Sequence, residues 1–329
     1  MQIKTLKNKI FEIQNDNEFN EIALEIFRFQ YENNHIYKQF IDINDFKISK
    51  INDFREIPFL PIEFFKTHRI LSTNKIPEIF FESSGTTGFT KSRHYITDIE
   101  LYENSFVKGF EYFYGNIQDY CLIAVLPHYQ EQTNSSLIYM INKLIQLTNN
   151  KESGFYLNNL ENLSKELINL REKNKKTILF GVSYALLDLA EKYPVNISNA
   201  IIFETGGMKG RRKEMIREEL HNNLKKSFNV NAIHGEYGMT ELLSQAYSKG
   251  NGLFYTPKWM KILIRETNDP FSIAENNITG GINIIDLANI ESCSFIATQD
   301  LGILHNDGSF EISGRFDNSD IRGCNLMHI

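Results

Sequence analysis

A mixed α/β fold is what this sequence predicts, on two observations. Between Cys121 and Glu241 short apolar runs alternate with amphipathic stretches, the pattern of strands joined by crossover helices in a largely parallel sheet. From about Gly252 onward the pattern changes to short β segments separated by turn residues, which predicts a small, mostly antiparallel β lobe. The 329 residues suffice for one large domain or two lobes with a sizeable core.

Taken in order, the first fifty residues read as helical: in FNEIALEIFRFQYENNHIYKQFI, Ile22, Leu24, Ile26 and Phe27 recur at helix-like spacing. IPFLPIEFFKTHRI, with Pro58 and Pro61, reads as an extended, anchored connector. CLIAVLP is a buried strand, and SSLIYMINKLIQL is a helix with Asn134 or Ser135 at its N-cap. TILFGVS is a strand, followed by a helix over 184–192. AIIFETGG is the next strand, and MKGRRKEMIREELHNNLKK a charged surface helix. NAIHGEYGMTE runs from strand into loop. LFYTP, WMKILIRE, GGINIIDL, CSFIATQD, GILHNDG and SFEISGR make up the β lobe, with Asn306-Asp307-Gly308 as a hairpin turn. The pattern divides the chain into a helical segment with its connector (1–75), an α/β core (76–250), the β lobe (251–313) and a tail (314–329).

Composition narrows the function. Hydrophobic residues make up 42% and charged residues 23%, the proportions of an ordinary globular protein. A net charge of −6 argues against a nucleic-acid surface. No apolar run reaches the ~18 residues of a membrane span, and the N-terminus lacks the apolar core of a secretion signal. The three cysteines, at 121, 293 and 324, have no CxxC spacing, which excludes a disulfide framework and a zinc cluster built on cysteine pairs. A reducing cytoplasm is the expected compartment.

Five marks carry chemistry. Ser83-Ser84-Gly85-Thr86-Thr87-Gly88, with Lys91 beyond it, has the glycines and hydroxyls of a phosphate cradle, but the glycine and lysine spacing departs from the Walker loop. The competing reading is a plain Ser/Thr/Gly turn. Thr205-Gly206-Gly207-Met208 follows a strand and would let a flat ring lie against backbone, or is a simple strand-to-helix turn. Tyr237-Gly238-Met239-Thr240-Glu241 lies beyond a strand end, where open α/β sheets bind ligands. Thr240 can donate to a phosphate and Glu241 can hold Mg²⁺, or Thr240 caps a helix ELLSQAY. Asp300, expected at a strand end, can accept both hydroxyls of a ribose, or is a hairpin-turn aspartate. Arg315, in Gly314-Arg315-Phe316-Asp317, offers a fork of donors, or belongs to a solvated tail. Cys121 and Cys293 fall in apolar strand candidates and read as packing groups. Cys324 differs, with Gly323 beside it and Arg322 able to favour the thiolate.

The order of these marks resembles that of the adenylate-forming superfamily of acyl and aryl CoA ligases, luciferases and peptide-synthetase adenylation domains. SSGTTGFTK is similar to its phosphate loop, YGMTE to its adenine and magnesium motif, TQD to its ribose-binding aspartate motif (with Gln299 where glycine is common) and GRFD to its hinge, over residues 80–329. PFLPIEFFK, LPHYQEQTNSSLIYM, FETGGMKGRRKEM and RGCNLM resemble the acyl-protein synthetase family of the bacterial luminescence fatty-acid reductase complex, over nearly the whole chain. That resemblance implies the N-terminal domain of an adenylate-forming enzyme without the usual C-terminal domain. It also implies ATP and Mg²⁺, a carboxylic and specifically fatty acid substrate, capture of the acyl group on Cys324, and delivery to an acyl-accepting reductase or carrier protein.

In those terms Ser83, Ser84, Gly85, Thr86, Thr87, Gly88 and Lys91 hold the outgoing pyrophosphate. Thr240 touches the α-phosphate, and Glu241 binds the metal. Gly206, Gly207, Met208, Tyr237, Gly238 and Met239 surround adenine, while Asp300 and Arg315 fix ribose. His128, Tyr129 and His234, near strand ends, are candidates for the acyl pocket, though a lone histidine in such a place is more often a satisfied structural group. The superfamily's C-terminal domain supplies a lysine that assists adenylation; here Lys91, Lys209 or Lys258 is the expected substitute. A ligase using free coenzyme A and a non-catalytic nucleotide- or acyl-binding relative are the competing readings.

Overall fold

The computed structural model describes residues 3–83, 90–126, 134–157, 159–206 and 215–316. The chain begins with three helices, α1 (Ile3–Ile10), α2 (Asp16–Asn33) and α3 (His35–Ile43). Asn15 caps α2, accepting from the Glu18 amide at 3.1 Å, and Asn34 caps α3, accepting from the Tyr37 amide at 3.0 Å. The expected extended connector contains a two-residue strand, β1 (Leu60–Pro61), and a one-turn helix, α4 (Phe64–Thr67). A hairpin of β2 (Ile79–Glu82) and β3 (Arg93–Ile96) follows, then α5 (Ile99–Tyr114), β4 (Cys121–Val125), α6 (Ser136–Leu147), β5 (Gly154–Phe155), α7 (Leu160–Glu172), β6 (Thr177–Val182), α8 (Ser183–Lys192), β7 (Ala200–Thr205), α9 (Arg217–Phe228) and β8 (His234–Tyr237). The last part holds β9 (Ala246–Ser248), β10 (Phe254–Tyr255), β11 (Met260–Arg265), β12 (Thr279–Asp286), β13 (Phe295–Leu304) and β14 (Phe310–Arg315).

Among the described residues, twelve of these strands share one sheet. The order β5–β4–β6–β7–β8 is parallel throughout. β4 and β6 are buried along their whole length, which is why they read as continuous apolar runs. Beyond β8 the direction alternates through β9, β10, β14, β13, β12 and β11, with β1 added parallel to β13. The β segments near the C-terminus are thus hydrogen-bonded into the same sheet as the parallel strands, and the change from parallel to antiparallel pairing falls at β8–β9.

Three sequence expectations need correction. ELLSQAY is not a helix: Glu241–Ser248 is buried residue after residue, leaving no polar face, and the segment crosses into β9 through a turn. GILHNDG is not a separate strand, because β13 runs unbroken to Leu304 through a register shift between Leu301 and Gly302. Asp300 therefore lies inside a strand, not at its end. The charged helix after β7 starts at Arg217 within the described residues; 207–214 of that segment lie outside them. The hairpin turn at 306–308 is where the sequence puts it. Asp307 accepts from the Ser309 amide at 3.0 Å, and Gly308 takes φ +83°, which favours glycine. No helix among the described residues is long and apolar enough to cross a membrane.

A polar network ties the N-terminal helices to the turn over Leu287–Glu291. Gln30 Nε2 donates to the Asn289 and Ile290 carbonyls at 3.0 Å each, and Asn34 Nδ2 to the Ser292 carbonyl at 2.9 Å. Lys7 bridges Asp98 and Glu291, which also accepts from Lys75 at 2.8 Å and from the Thr97 hydroxyl at 2.6 Å. Burial alone would raise the pKa of Glu291 and Asp98; their bonds outweigh it, to Lys7, Lys75 and Thr97 for Glu291 and to Lys7 and the Leu101 amide for Asp98, and hold both carboxyls below the usual range. Carboxyls whose folded pKa is depressed contribute stability above the unfolded pKa and lose it as pH falls through the folded value. Lys7→Met should cost on the order of 2–3 kcal/mol at pH 7, since it leaves two inward carboxylates short of their shared cation. It should also flatten the acid limb of a urea-midpoint-versus-pH curve below about pH 4.5. A variant with the parental midpoint and acid limb would show that the bridge contributes nothing.

Candidate active site

A cavity of about 420 Å³ opens at the C-terminal ends of β7 and β8, the place where open α/β sheets bind ligands. Its size falls within the range of small-molecule sites. Asp300, in β13, stands opposite Arg315, in β14, in the strand register. The buried carboxylate accepts from the Tyr237 hydroxyl at 2.8 Å through one oxygen and from Arg315 Nε at 2.8 Å through the other. Burial and the adjacent Asp300 push the Tyr237 phenol well above its ordinary range, so it stays protonated and donates. All three residues line the cavity. Arg315 is therefore paired across a strand ladder, and Asp300 is not a turn residue.

Sheet alternation sorts the other residues. Gly235 and Tyr237 face the cavity side of β8, with Glu204 beside Gly235 on β7. His234 faces the other side, where Tyr114 Oη lies 3.1 Å from its Nδ1 and Phe203 packs on its ring. It does not line the cavity, and burial pushes its pKa down to about 4. Glu236 shares that face but reaches the cavity wall; burial pushes its carboxyl up to about 7, opposed by a 3.2 Å bond from the Thr205 hydroxyl. Gly206 closes β7 at φ +73° and lines the cavity with Gly238 and Met239. Gly207, Met208, His128 and Tyr129 lie outside the described residues.

The hairpin β2–β3 carries the Ser/Thr/Gly loop. Ser83 and Ser92 close its stem: the Ser83 amide donates to the Ser92 carbonyl at 3.1 Å, and the Ser92 amide to the Ser83 hydroxyl at 3.0 Å. Lys91 is half exposed, its Nζ 3.7 Å from Glu82. Ser84, Gly85, Thr86, Thr87 and Gly88 lie outside the described residues. The stem meets the turn after β8. Glu241 is buried there, and burial holds its carboxyl above the usual range against the opposing pull of the neighbouring Ser92 hydroxyl.

The Thr240 carbonyl lies 3.0 Å from His94 Nδ1. Burial pushes His94 down to about 4, so the ring is neutral at pH 7. A carbonyl can only accept, so Nδ1 carries the proton and Nε2 accepts from the Ser292 hydroxyl at 2.8 Å. On the other side Asn289 Nδ2 donates to the Glu241 carbonyl at 2.8 Å, and Asp286 receives the Leu243 and Ser244 amides at 2.9 and 2.8 Å. Sequence reading missed His94, Asp286 and Asn289. Each holds backbone rather than ligand, and no local motif marks such residues.

The remaining candidates separate cleanly. Lys258 bonds Gln14 at 2.6 Å in a different hollow, beside Phe11 and Trp259, and does not line the cavity of Asp300 and Arg315. Lys209 lies outside the described residues. Cys121 and Cys293 are fully buried, their thiols pushed up to about 11 and about 12 by that burial. Cys324 lies outside the described residues. No cluster of three or more His, Cys, Asp or Glu side chains suited to a metal occurs among the described residues. A single buried carboxylate such as Glu241 fits Mg²⁺ of the kind that a substrate's phosphates and water also ligate.

No curated protein matches the chain. Among solved structures, 2-hydroxyisobutyryl-CoA ligase in its postadenylation state with 2-HIB-AMP superposes with a TM-score of 0.64 at 12% identity, covering 92% of this chain and 68% of that one. ATP-bound MatB from Rhodopseudomonas palustris superposes with a TM-score of 0.55 at 14% identity, covering 72% of this chain and 47% of that one, so the chain spans about half the length of MatB. At these identities the likeness is one of fold, that of the ligases which the sequence motifs resemble. The family model described as acyl-protein synthetase, LuxE, matches residues 6–328, nearly the whole sequence, and the chain belongs to that family.

Proposed function

We propose that this chain activates a carboxylic acid, and specifically a fatty acid, as its acyl-adenylate, takes the acyl group on Cys324, and passes it to a reductase or carrier protein in the cytoplasm. The observation that carries the reading is the Tyr237–Asp300–Arg315 knot in the same cavity as the ends of β7 and β8, next to a Thr240–Glu241 turn bound to the stem of the Ser/Thr/Gly loop. ATP-bound MatB and the 2-HIB-AMP complex of the CoA ligase share the fold, and the family is one of acyl-protein synthetases.

In this reading residues 76–250 bind the phosphates, base and acyl group, residues 251–313 supply Asp300, and the tail brings Cys324. The substrate carboxylate attacks the α-phosphorus, and the bond to pyrophosphate breaks. Charge dominates that barrier, so donors fixed in advance provide much of the catalysis. Ser83, Ser84, Gly85, Thr86, Thr87, Gly88 and Lys91 cradle the leaving pyrophosphate, and Thr240 donates to the α-phosphate. Asp300 accepts the ribose hydroxyls with Arg315 beside it. Gly206, Gly207, Met208, Tyr237, Gly238 and Met239 bed the adenine, and His128 and Tyr129 border the acyl chain. Glu241 would hold Mg²⁺, which neutralises phosphate charge when bound.

Acid-dependent exchange of pyrophosphate into ATP, measured with acids of graded chain length, tests the first step. Exchange should require acid and Mg²⁺ and favour long chains; absence of exchange with every acid would leave only a binding role. Glu241→Gln should raise the Mg²⁺ concentration for half-maximal exchange by about tenfold, because a neutral amide is a poorer ligand for a hard cation. An unchanged Mg²⁺ requirement would remove Glu241 from the metal site.

A further inference from the structure

Strand alternation turns Glu204 toward the cavity side of the sheet, two residues before Gly206 and in register with Gly235. Ser183, the first residue of α8, donates its hydroxyl to one Glu204 oxygen. His221, on α9, brings Nε2 to 3.7 Å from the other, too far for a hydrogen bond, and this buried nitrogen has no hydrogen-bond partner among the described residues. Burial would raise the Glu204 pKa, but His221 and Ser183 outweigh it and hold the carboxyl below its usual range. An ionised carboxylate therefore sits in the wall that Asp300 and Arg315 also line.

We propose that Glu204 reads position 6 of the purine ring, so that the cavity selects a 6-amino nucleotide over a 6-oxo one. The inference rests on the adenylating reading above, in which Asp300 and Arg315 hold the ribose and the base continues along the cavity toward Gly206. A carboxylate can only accept. The exocyclic amine of a 6-aminopurine donates to it, while the oxygen of a 6-oxopurine brings lone pair against lone pair. Sites built to bond one polar group reject the analogue lacking it strongly, because their own buried group is then left unpaired. His221, which also lines the cavity, keeps its buried Nε2 without a hydrogen-bond partner among the described residues beside the same carboxylate.

The test is titration calorimetry of the full chain with the Mg²⁺ complexes of ATP, ITP, N6,N6-dimethyl-ATP and 2′-deoxy-ATP. The parent should bind ATP about tenfold or more tighter than ITP or the dimethyl analogue, neither of which has a donor at position 6. Glu204→Gln supplies an amide that can donate to the 6-oxygen, so the ATP-to-ITP ratio should fall about tenfold while the 2′-deoxy penalty is kept. An unchanged ratio in the variant, or equal binding of ATP and dimethyl-ATP by the parent, overturns the proposal, and the second arm needs no variant. Should the parent bind none of these nucleotides, the adenylating reading falls and this inference with it. A parent whose affinity is sensitive to the 2′-hydroxyl but indifferent to position 6 overturns this inference alone.

Discussion

Asp300→Ala should weaken Mg²⁺–ATP binding by about thirtyfold or more, because charge-assisted bonds to a ribose are worth roughly 2 kcal/mol or more. The carboxylate already accepts from Tyr237 and Arg315, one donor on each oxygen, and each oxygen keeps a second lone pair for a ligand hydroxyl. Those two donors also fix its orientation, so the ligand does not have to order it on binding. Tyr237→Phe keeps the ring and removes one of the orienting bonds; its loss should be smaller, about three- to tenfold. Calorimetry on variants whose thermal midpoints are recorded alongside separates binding from folding. A folded Asp300→Ala protein with parental affinity would take this residue out of the nucleotide site.

Legibility from sequence followed the physics of each segment. Buried parallel strands such as CLIAV and TILFGV are unmistakable because every side chain is apolar and the helices between them keep their own period and caps. YGMTE could be located but not shaped. ELLSQAY has the composition of a helix, and only the buried Asp286 and Asn289, more than forty residues away, take its amides and turn it into β9. Asp300 was recognised for its chemistry but misplaced at a strand end, since a register shift near Gly302 lets one strand run on where turn residues suggest two. Glu204 and His221 passed unnoticed for the opposite reason. Nothing local marks a carboxylate and an imidazole that meet only when α9 packs over β7, seventeen residues apart along the chain. Lys258 is a similar case: its charge is visible in sequence, its hollow is not.

Cys324→Ser should abolish the hydroxylamine-labile acyl adduct, seen by intact mass after incubation with ATP, Mg²⁺ and acid, while acid-dependent pyrophosphate exchange survives. The sequence has three thiols. Cys121 lies within β4, and Cys293 donates to the Phe295 carbonyl at 3.4 Å just before β13; neither lines the cavity. With their pKa values at about 11 and about 12 by burial, only about one molecule in ten thousand or fewer would carry either thiolate at pH 7. Acyl transfer needs that thiolate: sulfur attacks the carbonyl carbon of the acyl-adenylate, the carbon–oxygen bond to AMP breaks, AMP leaves with the electron pair, and the thiol proton passes to solvent. Cys324 is the thiol that remains, and Arg322 supplies a positive charge two residues away in sequence. Cys121→Ala and Cys293→Ala should keep the adduct, at some cost in stability. An adduct that persists in Cys324→Ser would refute the assignment. A parent that forms no adduct with any acid, yet converts free coenzyme A to acyl-CoA, would replace the acyl-carrier mechanism with a soluble-thiol one, leaving the adenylating half-reaction intact.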